Sequence, residues 1–264
     1  MANYTAKDVQ SLRQSTGVGM LDAKRALDAT DGDLEEASKW LRVQGLAGAA
    51  KRSGREAAEG AVAVAKEGSA AAIVLLRCET DFVAKSEEFV GLANELAELV
   101  VSKGEAAVDE RTDDVDRLKT TLKENISVGR AIRIEAPEGG VVDTYLHLQA
   151  GRGVNAVVVA LDGGTEELAH DIAVHISFAR PVYITRDGVP PAEVDAERAT
   201  VEQIARNEGK PDAALPKIVE GRLNGWYKER VLLDQAYVKD EKQTIASLLG
   251  SASVRSFAQV VIGD

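Results

Sequence analysis

The sequence predicts an α+β fold built from several units, and three observations carry that prediction. Residues 1–45 show only helical periodicity. Residues 61–186 alternate apolar or β-branched runs with amphipathic stretches, and do so twice in the same order. From Asp187 the pattern turns helical again, until a last apolar run, Phe257–Ile262, offers a strand that can return to a sheet. Sheets covered by helices are the stable way to bury such faces. The expected organisation is a three-helix module at 1–45, a linker at 46–60 and two similar sheet-plus-helix half-domains at 61–139 and 140–186. An inserted helical hairpin at 187–230 and a closing segment at 231–264 complete it.

In the first unit Thr5 is placed to cap a helix that carries Asp8 in its first turn, with Val9 and Leu12 on one face. Thr16-Gly17-Val18-Gly19 breaks that helix. A second runs from Met20 through Leu27 and stops before Asp31-Gly32. A third starts near Asp33, turns Leu34, Ala37, Trp40 and Leu41 to one side, and is expected to end at Gly45. So small a unit has a marginal core, which points to a binding role; a solvated cap without a partner is the alternative. The three-helix pattern resembles the ubiquitin-associated modules. Gly48–Gly60 is small, polar and basic, a linker composition with room for some helix.

Gly60–Ala65, a polar turn and Ala70–Leu76 form one expected hairpin, followed by a helix over Ser86–Val101. Gly140–Leu146, a Gly151-Arg152-Gly153 turn and Asn155–Leu161 form another, followed by a helix from Thr165 to Phe178. A β-branched strand is expected after each, at Ala131–Ile134 and at Pro181–Ile184, and a further helix fits Thr112–Ile126. Ala70–Leu76 is apolar throughout and reads as a strand covered on both faces. Beyond Pro190-Pro191, one hairpin arm carries Val194, Ala199 or Val201, and Ile204. The other carries Leu215, Ile218, Val219, Leu223 and Trp226. A Leu232–Val238 segment and a small helix at Thr244–Leu249 precede the last strand.

Charge and composition exclude several functions. A formal net charge of −11 argues against gripping nucleic-acid phosphates as the main activity. A single cysteine, Cys78, rules out an internal disulfide or a multi-cysteine metal site and suits a reducing cytoplasm, the expected location. Met1–Thr5 lacks a charged stretch followed by an apolar one, so no signal peptide is expected. No apolar run approaches the ~20 residues of a membrane span. His170 and His175 are five apart on an expected helix, the wrong spacing for a shared metal, and no phosphate-cradling Gly-rich motif occurs. Cys78 closes a buried strand and reads as inert. No catalytic constellation emerges, so neither an enzyme nor a cofactor is expected.

One stretch stands out. Between the strand ending at Leu76 and the helix starting at Ser86 lies Arg77-Cys78-Glu79-Thr80-Asp81-Phe82-Val83-Ala84-Lys85, a polar connection with one large aromatic. Phe82 either plugs the strand–helix junction or projects from it. The second copy has Leu161-Asp162-Gly163-Gly164 there, so only one half carries the aromatic. On the other hairpin, strand alternation puts Tyr145 and His147 on one face, and His147 reads either as a structural hydrogen-bonding group or as a partner contact.

Thr16–Leu27 (TGVGMLDAKRAL), Gly32–Ala37 with Leu41-Arg42 and Gly45, and Glu79–Ala84 (ETDFVA) together resemble the signatures of the bacterial translation elongation factor Ts family. Gly221–Asn224 with Trp226-Tyr227, then Leu232–Gln235, resembles a late core segment of that family. The likeness spans nearly the whole chain, with Val18, Leu21 and Ala23 in place of commoner residues and Trp226 where Phe is usual. It implies a guanine-nucleotide exchange factor for the GTPase elongation factor Tu. The tip Thr80, Asp81, Phe82 and Val83 would insert near the GTPase's Mg²⁺ and phosphate site. Leu12, Val18, Gly19 and Met20 would engage the same domain, and His147 another. No nucleotide, nucleic acid or membrane binding is implied; a dimer of heterodimers, and the part the hairpin would take in it, are left open. The competing expectation is a ubiquitin-associated-like adaptor that tethers a partner and exchanges nothing.

Overall fold

A computed structural model describes residues 3–263; Met1 and Ala2, part of the stretch read above for a signal peptide, and Asp264 lie outside the described residues. Three helices open the chain: α1 (Ala6–Thr16), α2 (Met20–Ala29) and α3 (Leu34–Arg52). Thr5 and Asp8 form a reciprocal capping box at the start of α1, and Gly17 ends it with φ 72°, a left-handed conformation that glycine adopts without strain. Leu12, Ala23, Ala26, Leu27, Ala37 and Leu41 make the module's own core.

The first sheet is antiparallel in the order β1 (Glu59–Glu67), β2 (Ala70–Cys78), β3 (Ser127–Glu135). Between β2 and β3 come a single helical turn, α4 (Asp81–Ala84), then α5 (Glu87–Lys103) and α6 (Thr112–Thr121). The second sheet has the order β4 (Val141–Gln149), β5 (Arg152–Asp162) and the last strand; α7 (Glu166–Ala179) follows β5. The chain then forms the hairpin α8 (Pro191–Asn207) and α9 (Leu215–Arg230), a small β6 (Ala236–Tyr237) and β7 (Asp240–Thr244) pair, α10 (Ile245–Leu249) and β8 (Ser253–Val261).

Alternation along the central strands builds four layers. Ala72, Val74 and Leu76 of β2 pack on Phe89, Leu92 and Leu96 of α5, while Ala71, Ile73 and Leu75 meet Ala156, Val158 and Ala160 of β5. Val157, Val159 and Leu161 of β5 in turn pack on Ile172 and Ile176 of α7. Both central strands are covered on both faces, the arrangement their unbroken apolar runs require. At the rim the buried Arg152 donates to the Gly60 carbonyl at 2.6 Å and to Glu59 Oε2 at 2.7 Å, tying β5 to β1.

Three expectations are corrected. Gly45 does not end α3, which runs on through residue 52 and takes up much of the expected linker. The glycine is there for close approach: a Cβ would sit 2.2 Å from Thr120 Cγ2, so α3 lies directly on α6. Arg42 pairs with Asp113 at 2.7 Å, and Arg52 donates to the Lys119 carbonyl at 2.8 Å across that contact. The second correction concerns Pro181–Ile184, which is not a strand of the second sheet. Val182 and Tyr183 N–H both donate to the Arg230 carbonyl, at 2.8 and 3.0 Å, and β8 occupies the edge of β5 instead. Finally, Ala199 and Ile204 are exposed on α8, and Val201 is the residue that packs with Val219 and Leu223 of α9.

His175 faces the core rather than solvent. It accepts from Val238 N–H at Nδ1 (3.3 Å) and meets Gln235 Oε1 through Nε2 at 2.9 Å, which fits the neutral Nε2–H form. Burial lowers its pKa from the ordinary 6.5, partly opposed by the Gln235 contact. The unfolded chain therefore binds this proton more readily than the folded one, and stability from His175 is present above pH 6.5 and lost as pH falls. Thermal melts between pH 7.5 and 5 are expected to show a falling Tm that flattens in His175→Gln; an equal slope in both proteins would exclude His175 as the cause.

Candidate functional site

The stretch after β2 folds into the single turn α4, which presents Phe82 to solvent. Thr80 is its N-cap: the hydroxyl accepts from Val83 N–H at 3.3 Å. Asp81 opens the turn, where a carboxylate suits the helix dipole, and receives Lys85 Nζ at 2.5 Å. That hydrogen bond holds the Asp81 carboxyl below the usual carboxylate range. Val83 and Ala84 point inward onto the core beneath α5, and Phe82 on the opposite side is 83% exposed. The turn thus anchors itself with one apolar face and leaves a single aromatic outside. Of the two readings of Phe82, projection is the one observed.

Holding the turn falls to a residue that sequence reasoning missed. Glu124, in the α6–β3 connection, accepts from Glu79 N–H at 2.9 Å and Thr80 N–H at 3.1 Å through Oε2, and from the Thr80 hydroxyl at 2.5 Å through Oε1. Cys78 lies just beneath, its thiol donating to the Thr80 carbonyl at 3.2 Å. Burial pushes that thiol up to about 12, so it remains protonated and inert, as its place in the strand implied.

The N-terminal residues divide. Leu12 is 2% exposed and Val18 6%, both inside the module core, so in the free chain their side chains hold the module together. Gly19 and Met20 are exposed, Met20 at 52%, and so is Leu21 beside them at 63%, a residue of the same signature stretch to which the resemblance gives no role. His147 lies exposed on β4, its Nδ1 3.4 Å from the Tyr145 hydroxyl, with the two rings stacked 6.5 Å apart. The register slips between His147 and Leu148, a bulge that turns Leu148 out to solvent as well. The site is therefore a set of separate surface features. Among the described residues no group of three or more His, Cys, Asp or Glu could hold a metal ion, and no helix is long and apolar enough to cross a membrane.

Comparison with known proteins decides what such a set belongs to. A family model described as Elongation factor TS matches residues 79–264. The chain is also 44% identical over 281 aligned residues to "Elongation factor Ts" of Renibacterium salmoninarum and 45% identical to that of Micrococcus luteus, in each case covering all of both chains. The chain belongs to the elongation factor Ts family. An Arthrobacter relative of the same name is 42% identical, again over both full lengths. The family match starts at Glu79, at the foot of α4, so the tip and everything after it fall within the elongation factor Ts model.

An exposed Phe82 should contribute little to the free fold. Phe82→Ala is expected to change unfolding stability by no more than about 0.5 kcal/mol. Leu12→Ala should cost about 2–5 kcal/mol, the range for a buried leucine. Urea unfolding of the two variants side by side checks both.

Proposed function

We propose that this chain is the guanine-nucleotide exchange factor for elongation factor Tu, acting in the cytoplasm through the Asp81-Phe82 tip. The observation that carries the reading is a large aromatic displayed on a pre-folded turn, in a chain of the elongation factor Ts family. It acts by binding alone: it favours the nucleotide-free GTPase over the nucleotide-bound one, and GDP must weaken its binding to the same extent. Of the turn Thr80–Val83, Asp81 and Phe82 are the part that enters near the partner's Mg²⁺ and phosphates, where nucleotide contacts are strongest, while Thr80 caps the turn and Val83 anchors it from the core side. The chain itself holds no nucleotide.

The remaining surfaces follow from magnitude. Driving an equilibrium from 1:99 to 99:1 takes about 5.5 kcal/mol of differential affinity, whereas burying one Phe supplies roughly 1.5–3 kcal/mol. A second and third contact are needed. We assign them to the exposed Gly19-Met20-Leu21 turn of a ubiquitin-associated-like module and to the Tyr145–His147 face of the second half-domain. The α8–α9 hairpin is an insertion between β5 and β8 that leaves this set of surfaces intact.

Release of a fluorescent GDP analogue from elongation factor Tu tests the reading. The chain should accelerate release, and Phe82→Ala should lose most of that acceleration while still binding. A tethering adaptor would leave release unchanged in both. His147→Ala is expected to weaken complex formation at an unaltered Tm, measured by calorimetry and thermal melt; a lowered Tm with intact binding would make His147 structural instead.

A further inference from the structure

Three consecutive residues between α6 and β3 each hold a different part of the molecule. Lys123, left-handed with φ 58°, extends Nζ to Asp22 Oδ2 at 2.6 Å, two residues past Met20 in α2. Glu124 accepts the three hydrogen bonds from Glu79 and Thr80 that precede the tip. Asn125 donates through Nδ2 to the carbonyls of Arg55 at 2.7 Å and Ser53 at 3.3 Å, where the chain leaves the module. Its backbone N–H donates to Glu79 Oε1 at 2.7 Å, and Arg55 Nη1 reaches Glu79 Oε2 at 3.4 Å. Module, connector and tip thus meet on one short turn.

We propose that the turn formed by Lys123, Glu124 and Asn125 is a positioning element that orders the Asp81-Phe82 tip and fixes its place relative to the N-terminal module. The argument starts from the size of α4. Four residues make one helical turn, and a first turn is unfavourable by itself because it fixes many dihedrals for few hydrogen bonds. The Asp81–Lys85 pair is solvent-exposed and adds little. A carboxylate that gathers two backbone N–H groups and a hydroxyl is much stronger, since hydrogen bonds to an ionised acceptor exceed neutral ones. Thr80 relays the effect: its hydroxyl donates to Glu124 and accepts from Val83 N–H, so Glu124 aligns the group that caps the turn. Lys123 and Asn125 then tie the same backbone to α2 and to residues 53–55, which sets the span between the Met20 surface and Phe82. The functional part of this proposal rests on the tip being the exchanging element.

The test uses the full chain with Glu124→Ala and Glu124→Gln, and reads amide hydrogen exchange together with GDP release from elongation factor Tu. In Glu124→Ala the Glu79 and Thr80 amides are expected to exchange at least about tenfold faster, the scale of a lost charge-assisted bond. The β2 amides at 72–75 should keep their protection. GDP release at saturating factor should fall by a similar factor, with a smaller change in the half-saturating concentration. Glu124→Gln keeps an acceptor oxygen and should lose less on both readouts. Parent-like protection of Glu79 and Thr80 in Glu124→Ala would overturn the proposal, as would a uniform loss that includes β2. Loosened tip amides with GDP release at the parent rate would instead remove the tip from exchange, and the functional claim with it. If Glu124→Ala does not fold, parent-like protection in Glu124→Gln overturns the proposal.

Discussion

Two sheets packed face to face, each with a helix on its outer side, constrain everything else in this chain. A strand in the middle of such a stack has no solvent side, so β2 and β5 must be apolar along their central stretches, 70–76 and 156–161, and small where the sheets approach. Ala71, Ala156 and Ala160 provide the small positions and Ile73 and Val158 the bulk between them. Gly153 marks the tightest point, since a Cβ there would lie 2.1 Å from the Val62 carbonyl. At this spacing a longer side chain would force the sheets apart. The candidate functional groups therefore lie at the ends and outer faces of the stack: the tip comes shortly after the end of β2, and His147 stands near the far end of β4.

Much of this was legible because long periodic segments carry their own evidence. The α1 capping box, the α+β alternation, the doubly covered strand β2, the paired hairpin helices and the return of the last strand all follow from residue type and spacing. Two of the misreadings share a cause. Gly45 carries a helix-stop signal locally, yet its lack of a side chain serves contact with Thr120, a distant residue. Pro181–Ile184 has strand-like residues, but its N–H groups are engaged by Arg230 and a competing strand already fills the sheet edge. In both, tertiary contact overrode local propensity.

The candidate site shows the same division. Phe82 was conspicuous as an aromatic in a polar connection, and a resemblance drew attention to its neighbours. Burial within the module is not visible in that resemblance, which gives Leu12 and Val18 a partner role and Leu21 none, whereas Leu12 and Val18 are buried in the free chain and Leu21 is exposed. Glu124 could not be found locally at all. It lies 44 positions beyond Thr80, within the stretch whose spacing fits a helix over Thr112–Ile126 although α6 ends at Thr121, and one carboxylate among 43 acidic residues carries no signal of its own. Only the folded chain brings it beneath the tip.

The pre-folded state of α4 has a kinetic consequence. A disordered loop that folded on contact would lose about 1–2 kcal/mol of backbone entropy per residue at each encounter. It would also have to find its structure inside the partner's site before it could act. With the turn already formed, the encounter needs only desolvation of one ring, and departure needs no unravelling. A factor that visits many GTPase molecules in succession gains from both. If the tip is the exchanging element, a water-exposed aromatic on a ready-made turn trades a small liability in solubility for that saving at each encounter.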